Sequence, residues 1–250
     1  MVVSSSEEVA PAPPALTSNR GFYTWFVVCA FLIIFAGFAH TFYLRAVFGT
    51  KGLPLLLHLH GFLFTAWFVL FFVQARLVAR HRVDLHRKLG IVGAFLAPLC
   101  TFVAMRVSFN AGRRSFLAHP DSLNNLGGAM DFGTSLMFLV LVAIALYLRR
   151  RPDYHKRIMV LACCSILFPA IGRIPVSATT VLFGAVGFWG LVAITEVPPL
   201  TCIIYDTIKH RRLHPAFGWG GPVLLASFPA FLLIGASDSW LNFQLWLLSR

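Results

Sequence analysis

The sequence predicts an all-α fold: a polytopic membrane helix bundle of about seven transmembrane helices in antiparallel hairpins. Three observations predict it. Apolar residues make up 58% of the chain and charged residues only 12%, about half the roughly 25% charged share of soluble domains. Mean hydropathy is +0.77. The charges are gathered into short runs, and the uncharged stretches between them are long enough for helices crossing a hydrocarbon core of roughly 30 Å. Lipid offers no partner to open backbone groups, so these stretches are expected as helices.

Residues 1–20 are rich in Ser, Ala and Pro and carry Glu7 and Glu8. They lack the basic start and short apolar core of a signal peptide and read as a disordered tail. The first apolar span then serves as an uncleaved anchor. The bundle is expected over residues 21–237, with spans at 22–44, 54–79, 89–109, 132–149, 157–174, 177–205 and 218–237. Gly172, Arg173 and Pro175 interrupt the fifth and sixth. The last stretch, 238–250, holds Trp240, Phe243 and Trp246 among leucines. It is too short to span, and reads as an interfacial segment or a prolongation of the last helix.

A histidine followed by two basic residues and an aliphatic one occurs three times, each time between apolar stretches. The copies are His86-Arg87-Lys88-Leu89, His155-Lys156-Arg157-Ile158 and His210-Arg211-Arg212-Leu213. They bend three expected hairpins. Their separations, 69 and 55 residues, suit an internal duplication, and suit equally basic turns that look alike in any multi-span chain. With the N-terminus cytoplasmic, 14 of the 21 Lys and Arg residues fall on the inner side, a positive-inside bias. The net charge of +12 is therefore read as topology and as affinity for anionic lipid headgroups, with no nucleic acid implied. The five cysteines lie in apolar segments without metal-type CxxC spacing, the pattern of buried free thiols.

Candidate chemistry rests on histidines and a few intramembrane charges. His40 closes the first span, and His58 and His60 open the second, at similar depth on the outer side. Two residues apart on a helix, His58 and His60 diverge by about 200°, so one of them can meet His40. Neutral imidazoles suit iron, copper and zinc, and paired histidines on facing helices ligate haem. His86 and His155 form a second such set on the inner side. For both sets the bland alternative is an interfacial histidine bonded to backbone, water or lipid. Arg106, Asp131 and Arg173 mark the outer ends of spans, where the aspartate can neutralise an arginine. Glu196 stands in the sixth span before Pro198-Pro199. An intramembrane carboxylate is a functional candidate, against a structural glutamate at a kink. The motifs of soluble hydrolases, nucleotide-binding loops and zinc proteases are absent.

The run His58-Leu59-His60-Gly61, then Gln74 and Arg76, then Leu85-His86-Arg87-Lys88-Leu89-Gly90 resembles an uncharacterised family of bacterial multi-pass membrane proteins, a domain of unknown function. His155-Lys156-Arg157-Ile158-Met159 through Arg173 is similar to that family's second half, and His214-Pro215-Ala216 before Trp219-Gly220 to a closing motif of related sequences. The resemblance covers roughly residues 54–220. It implies a bacterial inner membrane protein and supports architecture more than activity. The histidine placement is similar to that of membrane b-type cytochromes and small haem or copper-assembly proteins, which implies haem b as cofactor. One departure is that b-type ligands usually lie deeper than His86 and His155.

Three functions are therefore expected. The first is a haem-binding electron-transfer protein using His40 with His58 or His60, and His86 with His155. The alternatives are a small-solute or proton transporter built on Glu196, and a non-catalytic assembly or scaffold protein engaging partners through its basic turns.

Overall fold

The computed structural model describes residues 20–50, 52–118, 126–174, 190 and 192–248. Among them every regular element is a helix. α1 (Arg20–Phe38) runs into a π-helical turn, Ala39–Tyr43; α2 covers Leu55–Ala79, α3 Val83–Ala118 and α4 Leu126–Tyr147. A 3-10 turn, Leu148–Arg150, leads into α5 (Pro152–Ser165) and the short α6 (Phe168–Ile171). After a helical turn at 192–195 come α7 (Val197–His210), α8 (Pro215–Gly235) and α9 (Asp238–Leu248).

Six segments are long and apolar enough to cross a membrane: Gly21–Tyr43, Leu55–Ala79, Val83–Arg114, Gly128–Arg150, Pro152–Ile171 and Pro215–Gly235. The first part of the sixth expected span (177–189 and 191), the tail 1–19, His119 and the last two residues lie outside the described residues. Several boundaries differ from the sequence expectation. α3 and α5 begin five or more residues earlier than the apolar runs, which brings His86 and His155 inside their first turns and Arg157 into the second turn of α5. Pro152 suits the first position of α5, where no N–H is needed, and Asp153 favours its positive end. α5 stops at Ser165 and the chain restarts as α6 on Pro169.

The bundle packs α2 on α3, α3 on α4, α4 on α5 and α8, and α1 on α2 and α6. Helices in lipid gain no hydrophobic drive from meeting, so close approach of small residues carries association. A Cβ at Gly37 would land on the Ala170 carbonyl, and one at Gly133 would enter the Phe231 ring. Trp67 meets Phe138 edge-to-face at 4.8 Å. α5 is the most enclosed element, with Ile158 and every residue from Val160 to Ser165 buried. Buried hydroxyls bond back to their own helix: Thr101 to the Ala97 carbonyl, Thr134 to that of Met130, and Ser165 to that of Ala162. Large apolar side chains face outward instead, Phe95 at 75% exposure and Phe102 at 63%. An apolar exterior around a core holding the polar groups suits lipid as the surrounding medium.

Candidate functional site

The end of the bundle that carries the basic turns holds the best-defined constellation. His86 sits in the first turn of α3 and His155 in the first turn of α5, with ring centroids 6.2 Å apart at an interplanar angle of 80°. His155 Nδ1 lies 2.8 Å from the Ala145 carbonyl on α4. A carbonyl only accepts, so this nitrogen carries the proton and Nε2 keeps its lone pair. His86 Nδ1 is buried without a hydrogen-bond partner. His155 is thus oriented by a backbone acceptor on a neighbouring helix, and His86 presents an unpartnered ring nitrogen. Holding the second N–H on a carbonyl is how metal-ligating histidines are oriented.

Beside this pair lies a group that the sequence reading treated as topology. Arg157 donates from Nε to Asp206 Oδ2 at 2.9 Å and from Nη2 to Asp206 Oδ1 at 2.9 Å. Arg157 is 2% exposed and Asp206 1%. Nη1 also donates to the Asp153 carbonyl at 2.9 Å, and Asp153 holds Lys156 at 3.1 Å. His210 Nε2 stands 3.6 Å from Asp206 Oδ1. Arg157 is therefore not a surface topology charge but half of a buried bidentate pair joining α5 to α7. The signal in the sequence was Asp206 itself, one acid directly after the apolar run Cys202-Ile203-Ile204-Tyr205, which demands a partner. Asp84, by contrast, makes a loose exposed contact with Arg82 at 3.6 Å.

At the opposite end the histidines are placed separately. His58 Nδ1 lies 3.3 Å from the Pro54 carbonyl, which turns it back on its own helix. His60 packs on Phe64 at 4.6 Å and His40 faces Phe48 at 6.2 Å. The Phe42 ring lies against Gly61 and near His58. Among the described residues no ring contact joins His40 to His58 or His60. His40 Nδ1 and His60 Nδ1 are buried without partners. Arg173 donates to the Pro169 carbonyl at 2.8 Å and lies 5.3 Å from the Phe38 ring. It is also the charged group acting on both His60 and Asp131. The Asp131 main-chain carbonyl accepts from the Ser135 hydroxyl at 2.7 Å. Arg106 is exposed.

Glu196 occupies the turn before α7, with Pro198 and Pro199 in the first turn of that helix. Both of its carboxylate oxygens are buried without a hydrogen-bond partner. Cys100, Cys163, Cys164 and Cys202 are buried free thiols, and Cys29 is exposed. No group of three or more His, Cys, Asp or Glu side chains converges as a metal cage among the described residues. No known protein family, curated protein or solved structure matches the chain.

Proposed function

We propose that this protein transfers electrons within a membrane through a metal centre held by His86 and His155. The observation that carries the reading is the pair of imidazoles, 6.2 Å apart, with His155 held by the Ala145 carbonyl and His86 Nδ1 buried without a partner. The donor set fits a metal: two opposed bonds of about 2 Å from ring nitrogens to one ion set ring centres roughly 6 Å apart. The bound group is haem b or a bare redox ion, and either would supply reversible one-electron chemistry. The chain's part is to fix the His155 tautomer through the Ala145 carbonyl. It also encloses the site between helices, where burial and ligand orientation set the potential.

In this reading the chain crosses a bacterial plasma membrane seven times, with the N-terminus and all three basic turns cytoplasmic. The turns hold anionic lipid headgroups. The purified protein should show a Soret band with a reduced α-band, or stoichiometric bound transition metal. Substitution of His86 or His155 by Ala should remove the signal. Protein from metal- and haem-replete cells that contains neither, and takes up neither in vitro, overturns the reading.

A second reading, transport of a proton or small solute, is favoured by the unpartnered buried carboxylate of Glu196 beside a helix break that leaves backbone groups open. Glu196→Gln should then abolish pH-linked uptake in proteoliposomes. Equal flux in the two proteins removes this alternative.

A further inference from the structure

The three basic links between helices are gathered at one end of the bundle. The ring contact of His86 with His155 ties the α2–α3 link to the α4–α5 link. Arg157 on Asp206, and Tyr154 on His214 at 4.8 Å, tie the α4–α5 link to the end of α7 and the start of α8. Exposed cations stand on all three links: Arg80 and Arg82 on the first, Arg149 and Arg150 on the second, Arg211 and Arg212 on the third. Among the described residues only two acids are exposed at this end, and each already faces a cation. Asp84 stands 3.6 Å from Arg82 and Asp153 3.1 Å from Lys156. Arg211, which ends α7, has a φ of 53°, in the left-handed region where glycine is favoured. The chain keeps a long cation there at a cost in backbone strain. The result is a surface of one sign at the same end as the His86–His155 pair.

Membrane orientation needs only a bias in where such charges fall. It does not need the links to be drawn together by inward contacts. Lipid headgroups meet the rim of a bundle, helix by helix. The middle of its end, where the links converge, is open to a molecule arriving from the water. We propose that this basic end is the docking surface for a soluble one-electron carrier protein with an acidic face. This rests on the metal-centre reading and supplies the partner that such a centre requires. The carrier gives up one electron, which passes to the centre between His86 and His155. No bond forms or breaks and no proton moves. Complementary charge raises the rate of encounter more than it tightens the final complex, which suits a carrier that must leave after each transfer. Contacts between exposed charges also weaken as salt screens them.

The test uses the full-length protein in phosphatidylcholine nanodiscs, metal-loaded and chelator-stripped, with an acidic two-iron ferredoxin as the probe. Surface plasmon resonance reads association, and stopped-flow absorbance reads electron transfer. The ferredoxin is expected to bind both forms, with association slowing about tenfold or more from low to high salt. Arg149→Gln with Arg150→Gln, and Arg211→Gln with Arg212→Gln, are each expected to slow association severalfold at low salt. Arg113→Gln with Arg114→Gln, exposed beyond the far end of the third span, should leave it unchanged. Cytochrome c, a basic carrier, should not bind. Ferredoxin association that ignores both salt and the arginine pairs overturns the proposal, as does equal binding of the two carriers. Should an arginine pair fail to fold, the salt dependence of the wild type decides. Binding of phosphatidylglycerol vesicles without binding of ferredoxin makes this end a lipid surface and overturns the proposal. Loaded protein that dithionite reduces and ferredoxin does not overturns the docking surface and leaves the metal centre standing. Arginine-dependent ferredoxin binding by protein that takes up neither metal nor haem supports the surface and overturns the metal-centre reading.

Discussion

The Arg157–Asp206 pair shows what a single residue can conceal in a sequence. Arg157 is one of several basic residues in a turn, and by charge alone it is indistinguishable from Lys156 beside it. In the structure Lys156 reaches the surface acid Asp153, whereas Arg157 turns inward to a bidentate contact at 2.9 Å on both arms. Only the planar fork of arginine matches a carboxylate in this way. A buried pair is weak evidence of net stabilisation, but removing one partner strands a charge at a cost of about 3–5 kcal/mol. Arg157→Met and Asp206→Leu should each lower the unfolding midpoint in detergent. The double variant, apolar on both sides, should recover most of the loss. Losses that simply add would show that the two side chains are not coupled. The histidine chemistry was more legible than this pair, because His86 and His155 announce themselves by residue type. Their juxtaposition was legible only as a pairing of equivalent turns.

At the scale of elements, helix starts were the least legible feature. Hydropathy locates the lipid-embedded part of α3 and α5, but both helices begin earlier, among the charged residues of the basic turns, where the chain has reached the polar interface. α8 begins differently. His214 is its N-cap, with Nδ1 accepting from the Ala216 N–H at 3.1 Å, and Pro215 follows at the first helical position. The His214 ring packs on Tyr154 at 4.8 Å, which ties the start of α8 to the start of α5. Burial, reinforced by the Arg157 guanidinium and opposed by Asp206 and Asp153, holds the His214 pKa below the usual histidine range. The cap also needs the ring neutral, because a protonated Nδ1 cannot accept. The folded form therefore binds its proton less readily than the unfolded chain. This contribution is complete above the ordinary histidine value of about 6.5 and is lost as pH falls through the lower folded value. His214→Asn supplies a good cap that does not titrate. Melting curves between pH 7.5 and 5 should show the wild type losing stability on acidification by more than the variant. Parallel curves would mean that His214 is not the group responsible.

For the molecule as a whole, composition made the class legible because the reason is global: a chain this poor in charge has no other medium in which to fold. Leu55 at 84% exposure and Leu233 at 74% belong on a lipid-facing surface. The span count was less legible, since Glu196, Pro198 and Pro199 divide the sixth expected span and α7 has only 14 residues. Orientation can be tested without that span. Val47 and Arg150 are both exposed and are separated in sequence by α2, α3 and α4. Three crossings are an odd number, so the two positions must lie on opposite sides of the membrane. The proposed orientation, from the positive-inside bias, has Arg150 in the cytoplasm. The native thiols interfere little, because four are buried and Cys29, on α1, faces the lipid side of the bundle and can be replaced by Ala. In that background, a membrane-impermeant maleimide should label Val47→Cys in intact cells. It should label Arg150→Cys only once the membrane is opened. The reverse pattern inverts the proposed orientation while keeping the crossings. Labelling of both from the same side means that one of the three helices does not cross; where that helix is α3 or α4, His86 and His155 no longer share a membrane face and the proposed metal centre falls.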